Sequence, residues 1–355
     1  MTSEQKLILD LVCLGIGHGD IVNVPEDIKW DKVFNIAIKQ GVVAIALDGA
    51  QKSYEKGNPI EIDAMTKFQW IAASRQVEEI YDSHEKTSKK LALFYKRHDI
   101  RMLLLKGLGM SINYSIPNHR PCGDLDIYLF GDIKKGDCLV EKELGIKIDY
   151  SHHIHTVFNY SGVTVENHHN FFNIYAHPSS KEVDRWMKEK AKNFQEKDGI
   201  YLPTSEVNAL YIIRHAATHF AAEQITLRHV LDWAFFVDKH YHDVDWKWHW
   251  KKCQELNMDK FLLAINDICV TYLGFTPDMF KLGSDKSLTE RILNDIFQPE
   301  FDEKNPKGVI AYIHSRFRRW WCNRWKHKIV YPECLLSTFL YQIKAHLMKP
   351  ATLHI

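Results

Sequence analysis

Residues 66–98, TKFQWIAASRQVEEIYDSHEKTSKKLALFYKRH, keep apolar side chains at helical spacing for many turns without a glycine or proline. A stretch of that length and period folds as one long helix. At Met102 the pattern changes abruptly. Short apolar runs follow at Met102–Leu105, Leu125–Phe130, Lys147–Tyr150, His155–Tyr160 and Val163–Asn167, and Ser161-Gly162 marks a hairpin turn between the last two. Beyond about residue 200 the helical period returns in SEVNALYIIRHAATHFAAEQITLRHVLDWAFFVDKH. There Thr204 or Ser205 serves as N-cap after Pro203, with Glu206 in the first turn. The spacing predicts an α+β fold: an N-terminal helical region over 1–100, a strand-rich core over 101–200 and a C-terminal helical region over 201–355. No repeat, low-complexity tract or flexible linker interrupts it.

The 355 residues suffice for two or three structural units with a sizeable core. A net charge of +1 gives no global attraction to nucleic acid or to an anionic membrane, so any basic preference must be local. Seven cysteines, odd in number and without a C-x-x-C pair, predict reduced thiols in a cytosolic protein. The opening MTSEQKLILDLVCLGIG carries Glu4 and Asp10 and predicts an amphipathic helix, not a signal sequence. No run approaches the ~18 apolar residues of a membrane span. The expected location is cytoplasmic.

The chemistry concentrates in KGLGMSINYSIPNHRPCGDLDIYLF, residues 106–130. An apolar strand enters Lys106-Gly107-Leu108-Gly109, and a helix is expected from Met110. A strand, a glycine turn and a helix N-terminus can hold an anion, because free N–H groups point outward there. The spacing matches neither a dinucleotide fingerprint, since the third glycine position is Ile112, nor a Walker loop. A plain tight turn is the other reading. Asp124 and Asp126 then open a strand on one face, with Leu125 and Ile127 toward the core. Two carboxylates beside a phosphate turn suit Mg²⁺, which takes one or two protein carboxylates plus substrate phosphates. The pair also fits a solvated strand end. Glu166 offers a third acid, on a strand face shared with Thr164 and His168. If that strand neighbours the aspartates, three carboxylates converge and suffice for two metal ions; otherwise Glu166 is an exposed strand residue.

The string K-G-x(6)-Y-x-x-P-x-x-R-x-x-x-D-x-D, met by Lys106, Gly107, Tyr114, Pro117, Arg120, Asp124 and Asp126, resembles the uncharacterised bacterial nucleotidyltransferase family of the polymerase-beta-like superfamily. IKWDKVFNIAIKQGVVAIAL before it and LRHVLDWAFFV after it resemble that family's helical flanks. The resemblance implies a nucleotidyltransferase-type mixed β-sheet carrying the D-x-D pair, a third acid on a nearby strand and a helical C-terminal half. It also implies metal ligands at Asp124, Asp126 and Glu166, with Lys106 and Gly107 at the phosphate turn. The implied reaction transfers a nucleoside monophosphate from a nucleoside triphosphate, ATP in the first instance, to an acceptor hydroxyl with two Mg²⁺ ions. Leu108 stands where the wider superfamily carries a serine, and the glycine-to-aspartate interval is longer. Lys106 and Arg120 could supply phosphate-binding charge instead. Alternatively Lys106 is a solvated strand end and Arg120 pairs one of the aspartates. A second reading of the whole chain is a catalytically idle nucleotidyltransferase-fold protein that binds or regulates.

Three other features carry less. Histidines crowd at 152, 153, 155, 168 and 169, and His215 and His219 stand at i, i+4; they read as structural, since neither a metalloprotease glutamate nor a spaced cysteine accompanies the pair. Arg228 and Asp232, also i, i+4, predict a structural ion pair. RFRRWWCNRWKHK, 316–328, interleaves six basic residues with three tryptophans. It reads as a polyanion or partner surface, an interfacial helix, or a helix with buried tryptophans and solvated charge.

Overall fold

The computed structural model describes residues 1–301 and 309–348, without the side chains of some positions in the last helices, Arg316 of the basic block among them. Helices α1 (Ser3–Gly15), α2 (Trp30–Gln40), α3 (Val43–Glu55) and α4 (Ala64–Lys96) come first. The middle of the chain runs β1 (Met102–Leu104), α5 (Leu108–Ser111), β2 (Leu125–Tyr128), α6 (Ile133–Leu144), β3 (His155–Tyr160), β4 (Val163–His168), α7 (Pro178–Lys190), β5 (Gln195–Lys197) and β6 (Ile200–Leu202). Helices return as α8 (Ser205–Ala222), α9 (Leu227–His240), α10 (Trp246–Glu255), α11 (Asp259–Leu273), α12 (Lys286–Phe297), α13 (Val309–Cys322), α14 (Arg324–Lys328) and α15 (Leu335–Met348). This is the expected α+β class. Among the described residues no helix is long and apolar enough to cross a membrane.

The chain divides into two compact units built from interleaved segments. The first unites residues 1–80, 113–121 and 212–330 and is helical. In it α1 and α3 cross so closely that a Cβ on Gly15 would fall 2.0 Å from the Ile45 carbonyl oxygen, and one on Gly49 1.9 Å from that of Leu11. Glycine at both positions lets the two backbones touch. Trp233, Phe236 and Phe261 fill the core around α9 and α11. Much of the basic block lies here too. Lys326 is fully buried with its Nζ 2.6 Å from Asp295 Oδ2, Arg319 pairs with Glu223, and the Arg324 guanidinium lies over Trp321. Part of the charge that the sequence offered as a surface is therefore spent inside this unit.

The second unit, 81–112, 122–211 and 331–355, holds a six-stranded sheet in the order β3-β4-β2-β1-β6-β5. β2 runs antiparallel to β1 and parallel to β4; β3 and β4 form an antiparallel hairpin. Ser161 (φ 53°) and Gly162 (φ 84°) both have positive φ, the requirement of a type I′ turn that matches strand twist. β5 and β6 form a second hairpin that the strand patterning did not predict. Its signal, Asp198-Gly199, has the same positive-φ pair. The strand expected over 147–150 is reduced to a single bridge, Asp149 with Val157. β2 is buried along its whole length because it is flanked on both edges, which explains its apolar run.

Candidate active site

β1 delivers the chain to the site. Leu105 donates its N–H to the Asp126 carbonyl at 3.2 Å, extending the β1–β2 pairing by one residue, and Lys106 and Gly107 follow at once. Gly107 turns with φ 58° and ψ −109°, a combination open in practice to glycine alone. The helix after it begins at Leu108, two residues before the expected Met110, and is one turn long. So short a helix carries little macrodipole, and attraction of an anion here falls to the Lys106 charge.

Asp124 sits in the bend just before β2 and is exposed, whereas Asp126, on the strand, is buried. His84 on α4 anchors the approach by donating from Nε2 to the Gly123 carbonyl at 2.6 Å. In the parallel pairing of β2 with β4, Asp126 lies opposite Glu166, so the side chains share one face. Partial burial raises the Asp124 pKa above the ordinary carboxylate value, and the charges of Glu166 and Asp126 add to the effect. The three acids are therefore close enough to repel one another. Among the described residues, the ligand atoms that all lie within 4.8 Å of one another are those of His155, Glu166 and His168, not those of the three acids, so a hard divalent cation such as Mg²⁺ would have to draw the carboxylates together.

Two side chains of the chain itself already answer that charge. Lys106 Nζ lies 2.9 Å from Asp126 Oδ1, and His168 Nε2 donates to the same oxygen at 2.8 Å while lying 3.3 Å from Glu166 Oε2. Burial alone would raise the Asp126 pKa. The hydrogen bond from His168 and the Lys106 charge outweigh it and hold Asp126 down at about 2. For His168 burial disfavours the charged ring, yet its bonds to Asp126 and Glu166 keep its pKa above the usual histidine value. His155, opposite His168 across the β3–β4 hairpin, behaves differently. Burial pushes its pKa down to about 4, so the ring is neutral near pH 7. In the sequence, histidines 155 and 168 read as structural, although His168 was placed on the strand face of Glu166. The available signal was His168 at i+2 from Glu166, on the same strand face.

Arg120 falls in the other compact unit. Tyr114, Pro117 and Arg120 belong to the helical unit, while Lys106, Gly107 and the aspartates belong to the sheet unit. Arg120 is only 5% exposed and forms a two-pronged pair with Asp232, Nε to Oδ1 at 2.6 Å and Nη2 to Oδ2 at 2.8 Å. Tyr114 donates its hydroxyl to Asp232 Oδ1 at 2.8 Å. Arg120 thus makes the two-pronged pair with Asp232, while Arg228 one turn away donates to the Pro121 carbonyl and adds its charge to those that hold the Asp232 pKa down.

The family model described as an uncharacterised nucleotidyltransferase matches residues 26–274, most of the chain and all of this site. The chain belongs to that nucleotidyltransferase family. Neither the curated proteins nor the solved structures contain a significant match. The matched span runs from α2 through α11 and includes the whole sheet, so the Tyr114–Arg120 segment and α9 fall inside it together with the acidic strand.

Proposed function

We propose that the chain is a metal-dependent nucleotidyltransferase that moves a nucleoside monophosphate from a nucleoside triphosphate, ATP first among candidates, to an acceptor hydroxyl. The 101–200 region would be its catalytic core and the 1–100 and 201–355 regions its helical flanks. The observation that carries this reading is the direct pairing of Asp126 with Glu166 beside Asp124 and Lys106, in a chain of this family. Asp124, Asp126 and Glu166 would hold two Mg²⁺ ions, which when bound supply charge neutralisation for the phosphates and activation of the acceptor hydroxyl. Lys106 would leave Asp126 for a phosphate oxygen, a point charge for a point charge. The side-chain-free turn at Gly107 would let that phosphate approach the backbone. The acceptor oxygen would then attack the α-phosphorus as the bond to the β-phosphate breaks and pyrophosphate departs. Arg120 we assign to the framework, because its guanidinium is already matched to Asp232.

A second reading has its own support. Lys106 and His168 neutralise Asp126 without any ion, as in a nucleotidyltransferase fold kept for binding or regulation. Incubation of the protein with Mg²⁺, cell extract and α-labelled ATP tests the two. The enzyme reading expects a labelled product that disappears with Asp126→Asn. Absence of any labelled product with all four nucleoside triphosphates, or equal labelling by Asp126→Asn, overturns it.

A further inference from the structure

We propose that His155, Glu166 and His168 form a two-nitrogen, one-oxygen cation site selective for a late first-row divalent ion, Mn²⁺, Co²⁺ or Zn²⁺, over Mg²⁺. The inference rests on Glu166 being a metal ligand, as in the nucleotidyltransferase reading, and adds ligands and an ion preference that the carboxylates do not imply.

The donors are held by strands, not by loops. His155 and His168 are direct partners across the antiparallel β3–β4 pairing, and Glu166 lies two residues before His168 on the same face. The ligand atoms of the three residues all lie within 4.8 Å of one another. Glu166 Oε2 is 3.3 Å from His168 Nε2 and 3.5 Å from His155 Nδ1. Ligands bound about 2.1 Å from one ion sit roughly 3–3.5 Å apart when cis, so the cluster needs little movement to close. A tight turn and a full strand ladder hold it, which keeps the ordering cost of binding small.

A second observation points to a ligand. His155 is only 9% exposed, yet its Nδ1 forms no hydrogen bond among the described residues. A buried polar atom left in this way costs free energy that a bound ion would recover. The lone pair of a neutral imidazole is a borderline donor whose affinity for first-row divalent ions rises from Mn²⁺ to Cu²⁺ and falls back at Zn²⁺, while Mg²⁺ prefers oxygen and retains its waters. On binding, the ion takes the place of the hydrogen bond between His168 Nε2 and Asp126 Oδ1.

A three-histidine grouping in the helical unit, His215, His219 and His229, is a poorer candidate. There the Thr226 N–H donates to His229 Nδ1. That places the proton of the neutral ring on Nε2 and leaves no nitrogen free for a metal.

The test uses Co²⁺ and Mn²⁺ on the full chain, without nucleotide. Electron spin-echo modulation of bound Mn²⁺ should show coupling to imidazole nitrogens in the unmodified protein. Bound Co²⁺ should give ligand-field bands that survive excess Mg²⁺. His155→Gln and His168→Gln should each weaken Co²⁺ binding at least about 10–100-fold, the loss known even for partners one step further out. Absence of nitrogen coupling in the unmodified protein overturns the proposal whether or not the variants fold, as does a Co²⁺ affinity indifferent to both histidines. The two readings fail separately. Mg²⁺-dependent ATP binding without nitrogen coupling leaves the nucleotidyltransferase reading standing alone, and nitrogen coupling without ATP binding does the reverse.

Discussion

Asp126 and Glu166 are direct partners in the parallel pairing of β2 with β4, and their carboxyl groups share one face of the sheet. Like charges placed so closely are unfavourable unless a cation intervenes. Here Lys106 and His168 both reach Asp126 Oδ1, and His168 spans to Glu166. A site neutralised by its own side chains can accept Mg²⁺ and triphosphate only by exchanging partners, and that exchange is open to measurement.

Removing the central charge should uncouple nucleotide from metal. In the unmodified protein ATP should bind more tightly with Mg²⁺ than in EDTA, because bare phosphate meets the carboxylates. Asp126→Asn should remove most of that difference. Calorimetric titration in the two media checks it, and equal affinities in the unmodified protein would contradict the site.

Binding and chemistry should separate between two variants. Glu166→Gln should leave ATP affinity nearly unchanged and lower turnover by about two to four orders of magnitude, the span for losing an activating group. Lys106→Ala should weaken ATP binding with a smaller loss of turnover at saturation. Pyrophosphate release beside calorimetric affinity decides; release at the unmodified rate by Glu166→Gln would reduce Glu166 to a strand residue.

Asp232→Asn should destabilise the protein by about 3–5 kcal/mol, because it strands the buried Arg120 without its carboxylate. The double variant Arg120→Met, Asp232→Leu should recover most of that loss in urea unfolding. Unchanged ATP affinity in the double variant is the expected mark of a framework role; a large loss would restore Arg120 to the phosphate site.

His119 supplies a pH dependence within the helical unit. Its Nδ1 lies 2.6 Å from Asp48 and its Nε2 3.1 Å from Glu78. The Asp48 hydrogen bond raises the His119 pKa against the opposing effect of burial, and Glu78 adds to the rise. A raised folded pKa stabilises fully below the unfolded value of about 6.5 and ceases to as pH rises through the folded value. Unfolding midpoints of the unmodified protein and His119→Gln should therefore differ more at pH 6 than at pH 9.

Lys326 and Asp295 form a second buried pair, 2.6 Å apart, in which burial lowers the lysine pKa and raises that of the aspartate. Asp295→Asn should cost about 3–5 kcal/mol in chemical unfolding, while replacing both by leucine and methionine should be near neutral. A mild effect of the single variant would mean that water reaches the lysine.

Much of the fold was legible because local period carries it. The glycine-free stretch over 66–98 became α4, the apolar runs around 102, 125, 155 and 163 became β1 to β4, and Ser161-Gly162 made its turn. The β5–β6 hairpin escaped because its strands are only three residues long and β5, Gln-Glu-Lys, is polar and exposed; only Asp198-Gly199 marked it. The run over 147–150 is too polar to sustain more than one bridge.

By itself the sequence determined which residues could do chemistry, since charge, a positive-φ glycine and strand alternation are properties of neighbours along the chain. Glu166 and His168 share a strand face wherever that strand lies; Asp124 and Asp126 were expected to do the same, but Asp124 sits in the bend before β2. Only the tertiary structure decided which faces meet. The parallel register of β2 with β4 sets Asp126 opposite Glu166, and the β3–β4 register sets His155 opposite His168. Register between strands far apart in the chain arises from packing of the whole sheet, so no local spacing encodes it. The same holds for Arg120. Helical spacing offered Asp232 a partner in Arg228, but a desolvated two-pronged pair outweighs a one-turn helical contact worth a few tenths of a kcal/mol, and the fold brought Arg120 to it.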